Sequence, residues 1–192
     1  MTEEQQRRRV LRFVRHGATA ANVLRLRCGG DLDLDLVAAG REQAAQVARE
    51  IAELEPPVRL IITSGLRRTI ETASIIARAL GQVTLLVEPD FAERRLGEWN
   101  LRSIERTQSW FDQGLTPPGG ESAHAFAARI VRAAGRLREC LPHAPLLVGS
   151  KGVARVLGEL SGRPGTRDLG NAALVEFDLS EELCTAFAGE PS

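Results

Sequence analysis

Three apolar runs, Val10 to Val14, Val58 to Thr63 and Pro145 to Gly149, are each succeeded by a stretch whose apolar residues recur at helical spacing. Strands that are apolar at most positions must be covered on both sides. The pattern therefore predicts an α/β fold, a mostly parallel central sheet with helices on both faces. Ala172 to Phe177 supplies a fourth strand and Val83 to Val87 a fifth. One helical face runs through Ala44, Val47, Ala48, Ile51 and Leu54, and a second through Leu66, Ile70, Ala73, Ala77 and Leu80, closed by Gly81. Ala123, Phe126, Ala127, Ile130, Ala134 and Leu137 make a third, and Val153, Val156, Leu157 and Leu160 a fourth. Ligands of such sheets bind beyond the carboxyl ends of the strands, so the residues just after Val14 and Val148 are the first places to look for a site.

Composition sets the outer limits. A chain of 192 residues, 43% hydrophobic, fits one domain spanning 1–192. Between Pro89 and Gly120 the helical period weakens, Trp99, Trp110 and Phe111 cluster, and Pro117-Pro118-Gly119-Gly120 marks a loop. Residues 89–120 accordingly read as a cap-like insertion that offers an apolar or stacking wall to a ligand. Acidic and basic residues balance at 25 each, which argues against a nucleic-acid or anionic-membrane surface. No apolar stretch approaches the roughly 18 residues of a membrane span, and no secretory segment is visible. Cys28, Cys140 and Cys184 are odd in number and form no paired motif, so the expected setting is the cytoplasm, with reduced thiols.

Chemistry-bearing residues gather at the predicted strand ends. Arg15-His16-Gly17 comes after the first strand and puts a cation, an imidazole and a side-chain-free step where strand becomes loop, which suits attack on a phosphorus atom. Ser64 to Ala73 comes after the second and places Arg67 and Arg68 in the first turn of a helix, where unpaired N–H groups favour anions. Val148-Gly149-Ser150-Lys151-Gly152 ends the third, and Lys151 is the sole lysine among 25 cationic residues. Glu93, ahead of Leu96-Gly97-Glu98-Trp99, is a candidate acid, with Glu98 as the alternative and a solvated carboxylate beside Arg94 and Arg95 as the plain reading. His124 and His143 lack such surroundings and read as surface or capping residues. Asp31, Asp33, Asp35 and Glu42 imitate a calcium-loop spacing, but Leu36 occupies the position that needs glycine. An alternating, half-buried extended segment explains them better.

In these segments the chain resembles the histidine phosphatase superfamily, the phosphoglycerate mutase-like proteins and small phosphatases. Arg15 to Thr19 with Asn22 is similar to its nucleophile loop, Ala39 to Ala44 to the start of its next helix, and Ser64 to Ala73 to its second arginine segment. Glu93 with Gly97-Glu98-Trp99 looks like its acid segment, and Pro118 to Ser122 like the opening of a later helix. The resemblance implies a three-layer sandwich and a metal- and cofactor-independent phosphomonoester hydrolase. His16 would form a phosphohistidine, Glu93 would serve as acid and then base, and Arg15, Asn22, Arg68 and Lys151 would bind the phosphoryl group. Under that match Arg68, rather than Arg67, faces the phosphate. Three departures stand out: Gly65 replaces the usual proline, Asn100-Leu101 the usual Glu-Gly, and Lys151 the usual second histidine. An ammonium binds phosphate but has no lone pair and a flexible stem. The alternatives are therefore a catalytically impaired phosphate-binding or scaffold protein and, third, a phosphoglycerate-mutase-like phosphotransferase. The partner implied is a small phosphate ester or phosphate itself; a homodimer is compatible with the sequence.

Overall fold

The computed structural model describes residues 9–163 and 169–179. Its strands are β1 (Val10–Arg15), β2 (Leu60–Thr63), β3 (Thr84–Val87), β4 (Leu146–Gly149) and β5 (Leu174–Asp178). They form one sheet in the order β3-β2-β4-β1-β5, parallel except for β5, which runs antiparallel along β1. The helices are α1 (Ala20–Val23), α2 (Ala38–Ala52), α3 (Arg67–Leu80), α4 (Ile104–Asp112), α5 (Ala123–Arg136) and α6 (Lys151–Leu160). None is long and apolar enough, among the described residues, to cross a membrane.

Two cores sandwich the sheet. Leu11, Phe13, Ile62 and Leu147 turn to one face and meet Phe126 and Ile130 of α5 with Val153 and Leu157 of α6. Val14, Ile61, Leu146 and Val148 turn to the other, against Val47, Ala48 and Ile51 of α2 and Ala73 and Ile76 of α3. The alternation along each strand is what divides the apolar residues between two helix layers. Each buried Leu, Ile or Phe contributes roughly 1.5–3 kcal/mol of transfer free energy. Arg12 interrupts β1 and is nonetheless buried; its guanidinium donates to the carbonyls of Glu55 and Pro56 at 3.0 and 2.6 Å.

Two sequence expectations change. The run Thr84–Val87 is a strand, yet every residue in it is exposed, because β3 is the sheet's edge beyond the reach of the helix layers. On α3, Ile70 is 41% exposed, and the buried face is Arg68, Thr69, Thr72, Ala73 and Ile76. Hydrogen bonds turn the helix that way: the Thr63 hydroxyl donates to that of Thr69 (2.8 Å), and Thr72 Oγ1 accepts the Gly17 N–H (3.1 Å). A count of apolar residues cannot register a face buried for its hydroxyls.

This topology builds a crevice. β1 and β4 are neighbours, but the chain leaving β1 reaches α2 on one face while that leaving β4 enters α6 on the other. Adjacent strands whose connections diverge leave a gap at their carboxyl ends, where α/β sheets take ligands.

Candidate active site

A cavity of about 810 Å³ opens at that gap, and Arg15, His16, Asn22, Glu93, Ser150 and Lys151 line it. The register explains the meeting. Arg15 pairs with Gly149 across β1 and β4, and the His16 N–H donates to the Gly149 carbonyl at 2.9 Å, so the residues after both strands emerge side by side.

His16 is 5% exposed. Its Nδ1 lies 2.7 Å from the Gly17 carbonyl, which can only accept, so Nδ1 carries the proton and Nε2 keeps its lone pair. Burial, then the charges of Arg68 and Arg15, push the imidazole's pKa well below its ordinary 6.5, against a weaker opposing pull from the Gly17 bond. The ring is therefore neutral at physiological pH. Asn171 supports it from 155 residues further along the chain, donating from Nδ2 to the His16 carbonyl at 3.0 Å and to Asn22 Oδ1 at 3.3 Å. Asn22 Oδ1 also accepts from the Thr19 N–H and hydroxyl, both at 3.0 Å, which fixes the amide.

Around this ring are buried donors with no protein acceptor. Arg15 Nε, Arg68 Nε and Ser150 Oγ make no hydrogen bond, although Arg68 and Ser150 are only 1% and 2% exposed. The rest of each guanidinium is anchored: Arg15 donates to the Leu169 carbonyl (2.7 Å), Arg68 to those of Leu32 (2.9 Å) and Gly29 (3.1 Å). Arg68 does not line the open cavity as Arg15 does; it lies behind, where its charge acts on both His16 and Arg15. Unsatisfied buried donors are rare, and a cluster of them beside a neutral imidazole suits an oxyanion.

Glu93 is held rather than solvated. Its two carboxylate oxygens accept the N–H groups of Arg94 and Gly152, each at 2.8 Å, the second belonging to the first turn of α6. A Cβ at position 152 would sit 2.1 Å from Glu93 Oε1, so only glycine admits the carboxylate there. Arg129 gathers the carbonyls of Asp90 (2.5 Å) and Ala92 (2.9 Å) and pairs with buried Glu121 at 2.8 Å, which clamps the segment before Glu93. Arg94 is not exposed as the plain reading required; it is 4% exposed and donates to the carbonyls of Glu121 and Leu115. Glu98, the other carboxylate considered, is exposed and outside the cavity lining.

Of the aromatic cluster only Phe111 reaches the cavity, while Trp99 and Trp110 back it at ring distances of 5.3 Å (Trp99 to Phe111) and 5.1 Å (Trp99 to Trp110). Residues 89–120 do form part of the wall, through Leu96, Ile104, Gln108, Phe111 and Asp112. The aspartates of the calcium-like spacing are spent separately: Asp31 accepts from Leu96 N, Gly97 N and Asn100 Nδ2, Asp33 from Arg67 N, and Asp35 pairs with Arg67 at 2.8 Å. His124 and His143 are exposed. Cys184 lies outside the described residues; Cys28 and Cys140 are unpaired thiols.

Sequence motifs assign no role to Ser150, Asn171, Thr72, Glu121, Arg129, Arg27 or Arg155. Asn171 comes after Gly170 and just ahead of a strand, a turn signal that marks a strand-end position. Ser150, Thr72 and Glu121 fall inside segments the sequence singles out but receive no role there, and Arg129, Arg27 and Arg155 carry no local signature.

A family model for the histidine phosphatase superfamily (branch 1) matches residues 11–186. The chain belongs to that superfamily. Among its relatives, a protein named "Probable phosphoglycerate mutase GpmB" from Escherichia coli O1:K1 / APEC is 34% identical over 91% of this chain and 86% of its own length. "Phosphoglycerate mutase-like protein 4" of Arabidopsis thaliana is 35% identical over 65% of this chain; the match spans 58% of the plant protein. Among solved structures, a mycobacterial glucosyl-3-phosphoglycerate phosphatase in complex with VO3 superposes with a TM-score of 0.71 at 27% identity, covering 87% of this chain and 90% of that one. One described as "Mycobacterial hydrolase 1" gives 0.74 at 26% identity, covering 88% and 91%. Gly65 has φ of 85°, which the ring of a proline excludes, so the loop into α3 takes a path that proline could not adopt.

Proposed function

We propose that this chain is a phosphomonoester hydrolase acting through a phosphohistidine on His16. The observation that carries the reading is a buried, neutral imidazole with Nε2 unprotonated, set among three buried donors that have no protein acceptor. In the first step Nε2 forms a bond to phosphorus as the ester P–O bond breaks, and Glu93 gives its proton to the departing alkoxide. In the second, water attacks phosphorus, the P–N bond returns its electron pair to Nε2, and Glu93 takes the water's proton. Arg15, Arg68, Ser150 and Lys151 hold the equatorial oxygens and spread their charge, and Asn22 presents its fixed amide, so the residues suffice without a metal. The superfamily membership and the phosphatase among its structural neighbours support this assignment.

Lys151 favours a second reading. It lines the cavity at the first position of α6 and brings charge but no lone pair, as a phosphate-binding protein without turnover would. One experiment separates the two: hydrolysis of 4-nitrophenyl phosphate by the parent, His16→Ala and Lys151→His proteins, with acid-labile phosphoenzyme trapped by rapid quench. The hydrolase reading requires turnover and a trapped phosphoryl group in the parent and neither in His16→Ala. Phosphate binding with no turnover in the parent, and turnover gained by Lys151→His, establishes the binder. Phosphoryl exchange between phosphoglycerates faster than hydrolysis would instead place the chain with the mutases.

A further inference from the structure

A single turn just ahead of β5 touches three residues of the cavity, Arg15, His16 and Asn22. The Leu169 carbonyl accepts from Arg15 Nη1 at 2.7 Å, the Ala172 N–H donates to the Arg15 carbonyl at 3.0 Å, and Asn171 Nδ2 donates to the His16 carbonyl at 3.0 Å and to Asn22 Oδ1 at 3.3 Å. Main-chain groups fix both amides. The His16 carbonyl can only accept, so the Asn171 atom facing it is Nδ2; the Thr19 N–H can only donate, so the Asn22 atom facing it is Oδ1. Ala172 takes its place in the turn with φ at 55°, in the left-handed region that a Cβ makes costly. Strain of that kind persists where surrounding contacts impose it, and here the contacts are those to Arg15 and His16.

The consequence falls on Asn22. Its Oδ1 collects three donors, the N–H and hydroxyl of Thr19 and Nδ2 of Asn171, which leaves the oxygen no lone pair to offer elsewhere. Asn22 lines the cavity, so what its amide keeps for a ligand is the two N–H groups of Nδ2. The reversed amide would aim a lone pair at an oxyanion and repel it. Thr19 lies only three residues from Asn22 and shares any movement of that loop. Asn171 instead ties the amide to a turn bonded to the end of β1, where Arg15 N–H also donates to the Ala173 carbonyl at 3.2 Å.

Resting on the hydrolase reading for where the phosphoryl group sits, we infer that Asn171 is a positioning residue: it sets the polarity and aim of the Asn22 amide and holds the His16 main chain beside it, so that an oxyanion meets donors only. Both Nδ2 hydrogens of Asn171 are taken by protein acceptors, so that group acts through Asn22 and His16 rather than on the substrate. Asn171 and Asn22 are therefore one device. Removing either should remove most of what the other contributes to anion binding.

The test is a double-mutant cycle read by calorimetry, with inorganic phosphate and orthovanadate titrated into the parent, Asn22→Ala, Asn171→Ala and the double variant. Turnover of 4-nitrophenyl phosphate is followed separately. Each single change should weaken both anions about tenfold, the loss of one hydrogen bond to a charged group. The double variant should bind no more than about threefold more weakly than the poorer single variant. Unchanged affinity in either single variant, or losses that multiply to about a hundredfold in the double variant as two independent structural defects would, overturns the inference. A second measurement needs no Asn171 variant to fold: in nitrogen-correlated NMR spectra of the parent, the Asn22 side-chain N–H pair, assigned by its absence from Asn22→Asp, should shift on saturation with phosphate. A pair that does not respond to bound phosphate also overturns it. Turnover without coupling between the two residues sinks this inference alone; coupling without turnover counts against the hydrolase reading alone; a parent that binds neither anion removes both.

Discussion

The two walls of the cavity are built on different terms. Around His16, position is set by the main chain: Gly149 and Gly17 carbonyls, the Gly152 N–H on Glu93, and the carbonyls of Gly29 and Leu32 behind Arg68. On the outer wall, position is set by side chains against side chains, Arg27 on Phe111 and Thr107, with Arg155 making no such bond among the described residues. Backbone bonds come with the fold and tolerate little change, whereas side-chain stacking can be rewritten residue by residue. The proposed chemistry is thus tied to the sheet, whereas the outer wall is a surface that substitution can remodel.

That contrast breaks most severely at His16. His16→Ala removes the proposed nucleophile and should lower kcat on any phosphate ester by ~10³-fold or more in steady-state assays. If the outer wall matters chiefly for binding, no outer-wall substitution will approach that loss. Next is the clamp on the acid segment. Arg129→Met leaves the Glu121 carboxylate buried and unpaired and frees the carbonyls of Asp90 and Ala92; it should cost about 3 kcal/mol in urea unfolding, with a fall in kcat. Gly152→Ala is a finer cut. The new methyl displaces Glu93, and a displacement near 1 Å should reduce kcat ~10²-fold while KM and the urea midpoint change little.

A smaller effect comes from linkage. The folded-state pKa of His16 is depressed, so below about pH 6.5 the unfolded chain takes up a proton that the folded chain refuses. Stability from this group is complete above pH 6.5 and is lost as pH falls toward the folded value, by at most about 1.4 kcal/mol per pH unit. His16→Asn should flatten that slope in thermal melts between pH 6.5 and 5.

How far the molecule is legible in its sequence divides along the same line. The five strands and three of the four helical faces can be read from apolar runs and their periodicity, Arg15, His16, Glu93 and Lys151 because each lies in a segment of characteristic composition, and Asn22 through the family resemblance. The rotation of α3 cannot, since Thr69 and Thr72 are buried for hydrogen bonds that only the folded loop provides. Arg27 and Arg155 are invisible for a related reason: among 24 arginines nothing local distinguishes one that faces a cavity from one that faces water. Glu121 and Arg129 need the contact between α5 and the 90–93 segment, which pairs residues distant in sequence.

The support of the nucleophile loop by Asn171 and Ala172 carries a consequence for biosynthesis. The Ala172 N–H bonds to the Arg15 carbonyl at 3.0 Å, and Asn171 to that of His16, so a loop synthesised early waits for a turn synthesised late. A nascent chain halted before residue 170 holds its imidazole without this anchorage. On the proposed hydrolase reading, products terminated before residue 170 should therefore turn over no phosphate ester, and competence should arrive only once the turn at Asn171 and Ala172 has been made.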